Sequence, residues 1–216
     1  MNKAFKSLVV ILALGGVMVS TSCKKNSVNG RVKSTTSTTT GQNPVTTTYS
    51  YDGQGRVLTI QDNSGTESYS YGPSTVTVTN VQGQTTIYTL NNQGYAGADN
   101  QGLTYSYDNS GYLTAVAAQG GGSQTSTYQN GDEQTRTIVG NGTTTILFTY
   151  LANTDYRDYG KHFLGKGNSH VLNSVTVTSG NNTTTYTFTY NFDDQGRVVT
   201  STQTGNNSIT TTTYTY

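Results

Sequence analysis

The chain has 216 residues, with 12 Lys and Arg against 11 Asp and Glu, and charged residues make up 11% of it, where about 25% is usual. A surface this neutral excludes the basic field that binding to nucleic acid or recruitment by anionic lipid requires. Only 31% of residues are hydrophobic, yet 17 tyrosines together with abundant Val and Thr form a strand composition rather than a disordered one.

At the start, Lys3 and Lys6 precede an apolar run from Leu8 to Val19, and the small polar residues Ser20, Thr21 and Ser22 lead to Cys23. This is the three-part layout of a secretory signal. As a helix the run reaches roughly 18 Å, well short of a hydrocarbon core of about 30 Å, so a permanent transmembrane helix is not expected. Cys23 is the single cysteine, which excludes an intrachain disulfide. Cleavage after Ser22 and thioether lipidation of Cys23 are predicted; an unmodified thiol left by ordinary cleavage is the alternative. Removal of Lys3 and Lys6 leaves ten basic residues against eleven acidic, a formal charge of about minus one.

The segment resembles a bacterial lipobox in carrying Ser22 directly before Cys23, and departs from the strict form in having Ser20 where Leu is usual. Lipoproteins of the Bacteroides group tolerate that departure. Lys24 and Lys25 follow, whereas surface-export signals in that group are acidic there. The resemblance therefore implies a lipid-anchored protein of the cell envelope, at the outer membrane, with its periplasmic or surface face left open.

Residues 23–43, the lipidated cysteine and a Ser/Thr-rich stretch with almost no apolar residue, read as a flexible tether. From 44 to 216 the hydrophobic period is two. Val76 and Val78 alternate with Thr75, Thr77 and Thr79, and Tyr186, Phe188 and Tyr190 alternate with Thr185, Thr187 and Thr189. This places aromatics on one sheet face and hydroxyls on the other. Turn clusters such as Asp62-Asn63-Ser64-Gly65 and Gly205-Asn206-Asn207 recur about every ten residues, the mark of successive hairpins.

Aromatic landmarks at Tyr51, Tyr71, Tyr107, Tyr128 and Tyr150, with Leu90 in the slot between Tyr71 and Tyr107, define a unit of about twenty residues. The best unit, Tyr51-Asp52-Gly53-Gln54-Gly55-Arg56-Val57, returns as Tyr107-Asp108-Asn109-Ser110-Gly111-Tyr112-Leu113 and as Phe192-Asp193-Asp194-Gln195-Gly196-Arg197-Val198; Leu90-Asn91-Asn92-Gln93-Gly94-Tyr95-Ala96 is a faded copy. The predicted role is structural. Asp52, Asp108 and Asp193 accept backbone amides, and Gly55, Gly111 and Gly196 take the positive φ that closes each turn. These units resemble the YD repeats of RHS-type bacterial proteins, in which they build one long β-sheet wound into a shell. The chain is too short for such a shell. It is more similar to a Bacteroides-type lipoprotein family of unknown function that carries a few such repeats, a resemblance extended by Phe163-Leu164-Gly165-Lys166 and Leu172-Asn173-Ser174-Val175. It implies no established activity and transfers no catalytic residue.

Asp52, Asp108, Asp193 and Asp194 are candidate Ca²⁺ ligands, but each turn supplies too few carboxylates. Arg56, Arg136 and Arg197 read as polar residues at strand edges that resist strand addition. Residues 151–170 break the alternation. This irregular crossover gathers Asp155, Tyr156, Arg157, Asp158, Tyr159, Lys161, His162, Phe163, Lys166 and His170. Read as a site, Tyr156 and Tyr159 are stacking platforms and Arg157, Asp158 and His162 polar contacts; read as structure, the segment covers one end or edge of the sheet with its aromatics in the core and its charges solvated. No metal site and no cofactor is expected.

The expected fold is all-β: an antiparallel meander of about a dozen or more strands, forming a large curled sheet, half-barrel, roll or barrel, after a signal-peptide helix. The expected function is that of a non-enzymatic binding or scaffold module of the envelope, with glycan or another envelope protein as partner, the membrane reached through the lipid on Cys23, and no nucleic acid. The alternatives are a structural or adhesive surface protein without a small-molecule site and, behind it, an enzyme working from residues 151–170.

Overall fold

A computed structural model of the chain describes residues 30–155 and 157–216. The signal peptide, Cys23 and Tyr156 lie outside the described residues.

The described chain is a closed antiparallel barrel. Its strands are β1 (Ser34–Thr39), β2 (Val45–Tyr51), β3 (Val57–Asp62), β4 (Gly65–Tyr71), β5 (Thr75–Thr79), β6 (Thr85–Leu90), β7 (Ala96–Asp99), β8 (Leu103–Tyr107), β9 (Leu113–Ala118), β10 (Ser123–Gln129), β11 (Asp132–Val139), β12 (Thr143–Thr154), β13 (His170–Ser179), β14 (Asn182–Phe192), β15 (Val198–Gly205) and β16 (Ser208–Thr215). Each pairs with its neighbours in sequence, and β1 closes the ring on β16 with Ser34 opposite Thr215 and Thr39 opposite Thr210. The all-β meander is thus a barrel rather than an open sheet, and Arg56, Arg136 and Arg197 guard no edge. Closure itself removes the edges they were expected to protect.

Alternation sorts the residues. Inward positions hold Val57, Tyr69, Val76, Leu103, Val116, Ile138, Ile146, Phe148, Val175, Val198 and Tyr214, all buried. Outward positions hold Thr and Ser, whose hydroxyls bond across strands: Thr127 to Thr135 at 2.7 Å, Thr149 to Ser174 at 2.8 Å, Thr176 to Thr185 at 3.0 Å and Thr178 to Thr183 at 3.1 Å. Among the described residues the exposed strand positions carry no Lys, Arg, Asp or Glu. Seven large aliphatics of the described chain are exposed: Val45, Val81, Val139 and Ile209 stand at or beside turns that follow odd-numbered strands, while Leu58, Ile87 and Leu147 lie elsewhere along the strands.

The expected tether ends much earlier than residue 43. Ser34–Thr39 is β1, and Val32 before it is fully buried. The stretch has little apolar surface, but joining a barrel requires only a backbone ladder and satisfied side chains. Inward Ser37 bonds Thr212 at 2.9 Å and inward Thr39 bonds Thr210 at 2.8 Å, so no polar group is left bare.

Strand order gives the barrel two different ends. The turns after odd-numbered strands, such as 80–84 and 206–207, lie at one end. Those after even-numbered strands, including 52–56, 91–95, 108–112 and 193–197, lie at the other, together with residues 155–169, which join β12 to β13.

Candidate functional site

The turns at this second end share one geometry. Asp52 Oδ1 accepts the amides of Gln54 and Arg56, each at 2.9 Å, and Asp193 Oδ1 accepts those of Gln195 at 3.0 Å and Arg197 at 2.8 Å. Asp108 does the same for Ser110 and Tyr112. Gly55, Gly111 and Gly196 have φ of 77°, 89° and 76°, a conformation that side chains resist. The Arg of the motif returns to its own Asp: Arg56 Nη2 lies 2.6 Å from Asp52 and Arg197 Nη2 lies 2.7 Å from Asp193. Desolvation is the largest single influence on the Asp52 carboxyl and raises its pKa, but the Arg56 amide, the Arg56 side-chain hydrogen bond, the Gln54 amide and the Arg56 charge together outweigh it and hold the carboxyl below its ordinary value. The carboxylates sit in their own turns rather than converging on a common centre.

A second device repeats beside the first. Tyr51 donates to the Val32 carbonyl at 2.6 Å, Tyr71 to Val57 at 2.9 Å, Tyr150 to Glu133 at 2.9 Å, Tyr190 to Leu172 at 2.7 Å and Tyr216 to Val198 at 2.9 Å. In each case the last tyrosine of an even-numbered strand, or for β16 the tyrosine one residue past its end, hangs on the backbone at or near the start of its odd-numbered partner.

Residues 155–169 cross this end and are stitched to it on three sides. Near β2 and β3, Asp158 forms a parallel bridge with Arg31, whose Nε lies 3.4 Å from its carboxylate, and the Gly160 carbonyl accepts the Val57 amide at 3.2 Å. A Cβ at Gly160 would lie 2.6 Å from that amide nitrogen, so the crossover approaches as closely as only glycine allows. Near β8 and β9, the Lys166 amide donates to Gly111 at 2.9 Å. Near β10 and β11, Asp132 accepts the amides of Ser169 at 2.9 Å and His170 at 3.0 Å and meets His170 Nδ1 at 2.7 Å. Phe163, in the 3-10 turn His162–Leu164, is buried among Tyr69, Tyr71 and Tyr88, with ring centroids 6.4, 6.5 and 5.1 Å away. The crossover therefore plugs the barrel.

The residues read as a binding group separate here. Arg157 points inward and grips Asp155 through Nε at 2.9 Å and Nη2 at 2.7 Å, while its Nη1 donates to Tyr214 at 3.1 Å. Desolvation opposes the guanidinium charge, and the Asp155 carboxylate more than restores it. The expectation that the crossover charges are solvated is wrong for this pair, whose side chains are 6% and 0% exposed. Tyr159 packs on Tyr49 at 5.3 Å and joins the cluster of Val32, Val171 and Val198. Asp158 accepts the Gly160 amide at 2.8 Å and stands 3.5 Å from His162 Nε2. Lys161 reaches inward to Glu67 at 3.5 Å, its pKa pushed below the ordinary lysine value by burial against the pull of Glu67.

Among the described residues of that group, His162 alone lines the cleft at this end, a cavity of about 230 Å³ bounded by Arg56, Tyr71, Gln93, Tyr95, His162 and Phe163. Arg56 lies over the Tyr71 ring at 4.2 Å. Arg56, Tyr71, Gln93 and Tyr95 escape a reading of 151–170 because they belong to the repeats and are brought together only by closure. Their one sequence signal is the repeat phase: each sits in or beside an even-to-odd turn.

No protein-family model matches the chain, and no curated protein matches it. Among solved structures it is similar to a porin-like protein from Bacteroides uniformis, at 18% identity and a TM-score of 0.67, over 85% of this chain and 97% of that one. It is also similar to a porin-like protein from Bacteroides vulgatus, at 13% identity and a TM-score of 0.63, over 86% and 98% of the two chains. At these identities the likeness is one of fold: a β-barrel of the same architecture over nearly the whole length of both neighbours.

Proposed function

We propose that this barrel is a lipid-anchored module of the cell envelope that works by binding or display, without conducting solutes and without catalysis. The observation that carries this reading is the outer wall. A barrel that crosses a bilayer faces lipid with an apolar band flanked by aromatic girdles, whereas this wall is Thr and Ser bonded to one another and its tyrosines point inward. Aromatic and aliphatic side chains fill the interior, and the crossover plugs one end. The similarity to porin-like barrels supports an envelope setting for the fold. The layout from Lys3 to Cys23 supports anchoring by lipid rather than by the strands.

Envelope glycan is the ligand class proposed for the cleft, because Tyr71 and Tyr95 offer ring faces beside the polar groups of Arg56, Gln93 and His162. The crossover charges favour binding over catalysis, since Asp155, Arg157 and Tyr214 are already committed to one another. The mature chain carrying Cys23→Ser should be soluble without detergent and leave planar bilayers non-conducting. A requirement for detergent, or stepwise conductance, would overturn the reading. A screen against envelope glycans with His162→Ala as control then separates a binding module from a purely structural one.

A further inference from the structure

We infer that the plugged end of the barrel faces the lipid surface that anchors the chain, and that the opposite end points away from it. The inference rests on the proposed lipidation of Cys23 and adds an orientation to it.

The chain becomes fixed almost as soon as it leaves the anchor. The Val32 amide meets the Asp158 carbonyl at 3.4 Å, the Val32 carbonyl holds Tyr51 at 2.6 Å, and the Lys33 amide donates to Thr215 at 2.7 Å. All of these contacts lie at the plugged end, because β1 runs from that end toward the other. From Cys23 to Gly30 the chain can extend at most about 25 Å, at roughly 3.5 Å per residue. A seven-residue strand such as β2 is itself about 23 Å long. Tilted by about 40° in the wall, such a strand spans roughly 18 Å of barrel height. Turning the opposite end to the membrane would thus use up most of the reach between Cys23 and Gly30, a demand that the plugged-end orientation does not make.

Charge distribution favours the same orientation. At the plugged end Asp52 is paired with Arg56 and Asp193 with Arg197, and the further turn carboxylates Asp108 and Asp194 are offset at that end by Lys33 and Lys166. Lys24 and Lys25 follow the anchor. The opposite end carries Asp62 and Asp99 at its turns and, among the described residues, no Lys or Arg. An acid-only face is repelled by headgroups of net negative charge; a balanced one flanked by lysines is not. The uncharged wall between them gives the barrel no reason to lie on its side. The cleft beside His162 then opens toward the headgroup layer, so its ligand would be one found at or within that layer.

The chain contains no tryptophan, so a single introduced Trp reports position without background. The mature chain, coupled through Cys23 to a maleimide lipid in vesicles that also carry dansyl headgroups, places the anchor chemically whether or not the cell acylates it. Energy transfer from Gln195→Trp at the plugged end should exceed that from Asn181→Trp at the other end several-fold, and Gln54→Trp should exceed Gln82→Trp likewise, all four being exposed turn residues. Equal transfer from both ends, or the reverse order, overturns the orientation. Labelled fatty acid fed to cells reads the anchor separately: failure to label the wild-type protein would sink the lipid anchor without altering the vesicle result.

Discussion

Arg157 and Asp155 form a two-pronged ion pair inside the barrel, with N to O distances of 2.7 and 2.9 Å and with the guanidinium 5.6 and 5.5 Å from the ring centres of Tyr190 and Tyr214. Two residues apart in sequence, they fasten the root of the crossover to β14 and β16. Removing one partner leaves a buried charge without compensation, so Asp155→Ala and Arg157→Ala should each cost about 3–5 kcal/mol, while Asp155→Leu combined with Arg157→Met should cost less than either. Denaturant midpoints of the three variants check this. Additive losses would show that the pair is not a buried unit.

Gly55 and Gly83 share a conformation, φ 77° and 76°, but differ in surroundings. A Cβ at Gly55 would strike the guanidinium of Arg31, whereas Gly83 faces open space. Gly83→Ala should cost on the order of 1 kcal/mol from the backbone alone. Gly55→Ala should cost more, and the excess should vanish when Arg31 is also replaced by Ala. Equal losses in the two single variants would mean that Arg31 moves aside freely and does not lock the N-terminal segment.

Tyrosine hydroxyls at the plugged end are not equivalent. Tyr71 donates to the Val57 carbonyl at 2.9 Å, but the buried Tyr107 hydroxyl has no hydrogen-bond partner among the described residues. Tyr71→Phe should lower stability by about 1 kcal/mol, and Tyr107→Phe should leave it unchanged or raise it slightly, since it removes a hydroxyl desolvated without return. Thermal melts of the pair decide the matter; a larger loss at Tyr107 would reveal a partner for that hydroxyl.

The inward tyrosines also set an alkaline limit. Burial pushes the pKa values of Tyr88 and Tyr190 up to about 12 from an ordinary 10.0, and those of Tyr51, Tyr69 and Tyr105 higher still. The folded chain therefore keeps phenol protons that the unfolded chain gives up. Their contribution is complete below pH 10 and falls away as the pH rises through the folded values. Lys161 works in the opposite sense, because the unfolded lysine holds its proton to higher pH than the folded one. The tyrosines outnumber it. Tyrosinate absorbance and circular dichroism, followed together above pH 10, should show most ionisation arriving with loss of the barrel; ionisation of these tyrosines near pH 10 with the fold intact would refute the burial argument.

The sequence by itself determined which residues face in and which face out. Period-two alternation is a property of the extended backbone, so Tyr186, Phe188 and Tyr190 had to share a face opposite Thr185, Thr187 and Thr189 wherever the strand lay. The repeat turns were legible for the same local reason: Asp52, Gly55 and Arg56 satisfy one another within five residues. Tertiary structure decided what no local pattern encodes. Whether the sheet closes depends on β1 meeting β16, residues some 180 apart, and Ser34–Thr39 looked like tether because its burial is of hydroxyls paired across that seam rather than of apolar surface. The crossover's composition marked it as unlike the repeats, yet the same charges and rings suit an exposed site or an internal plug. Only packing assigned Arg157 and Phe163 to the interior and His162 to a cleft whose other walls come from the repeats, because burial is fixed by what closes over a residue and not by the residue itself.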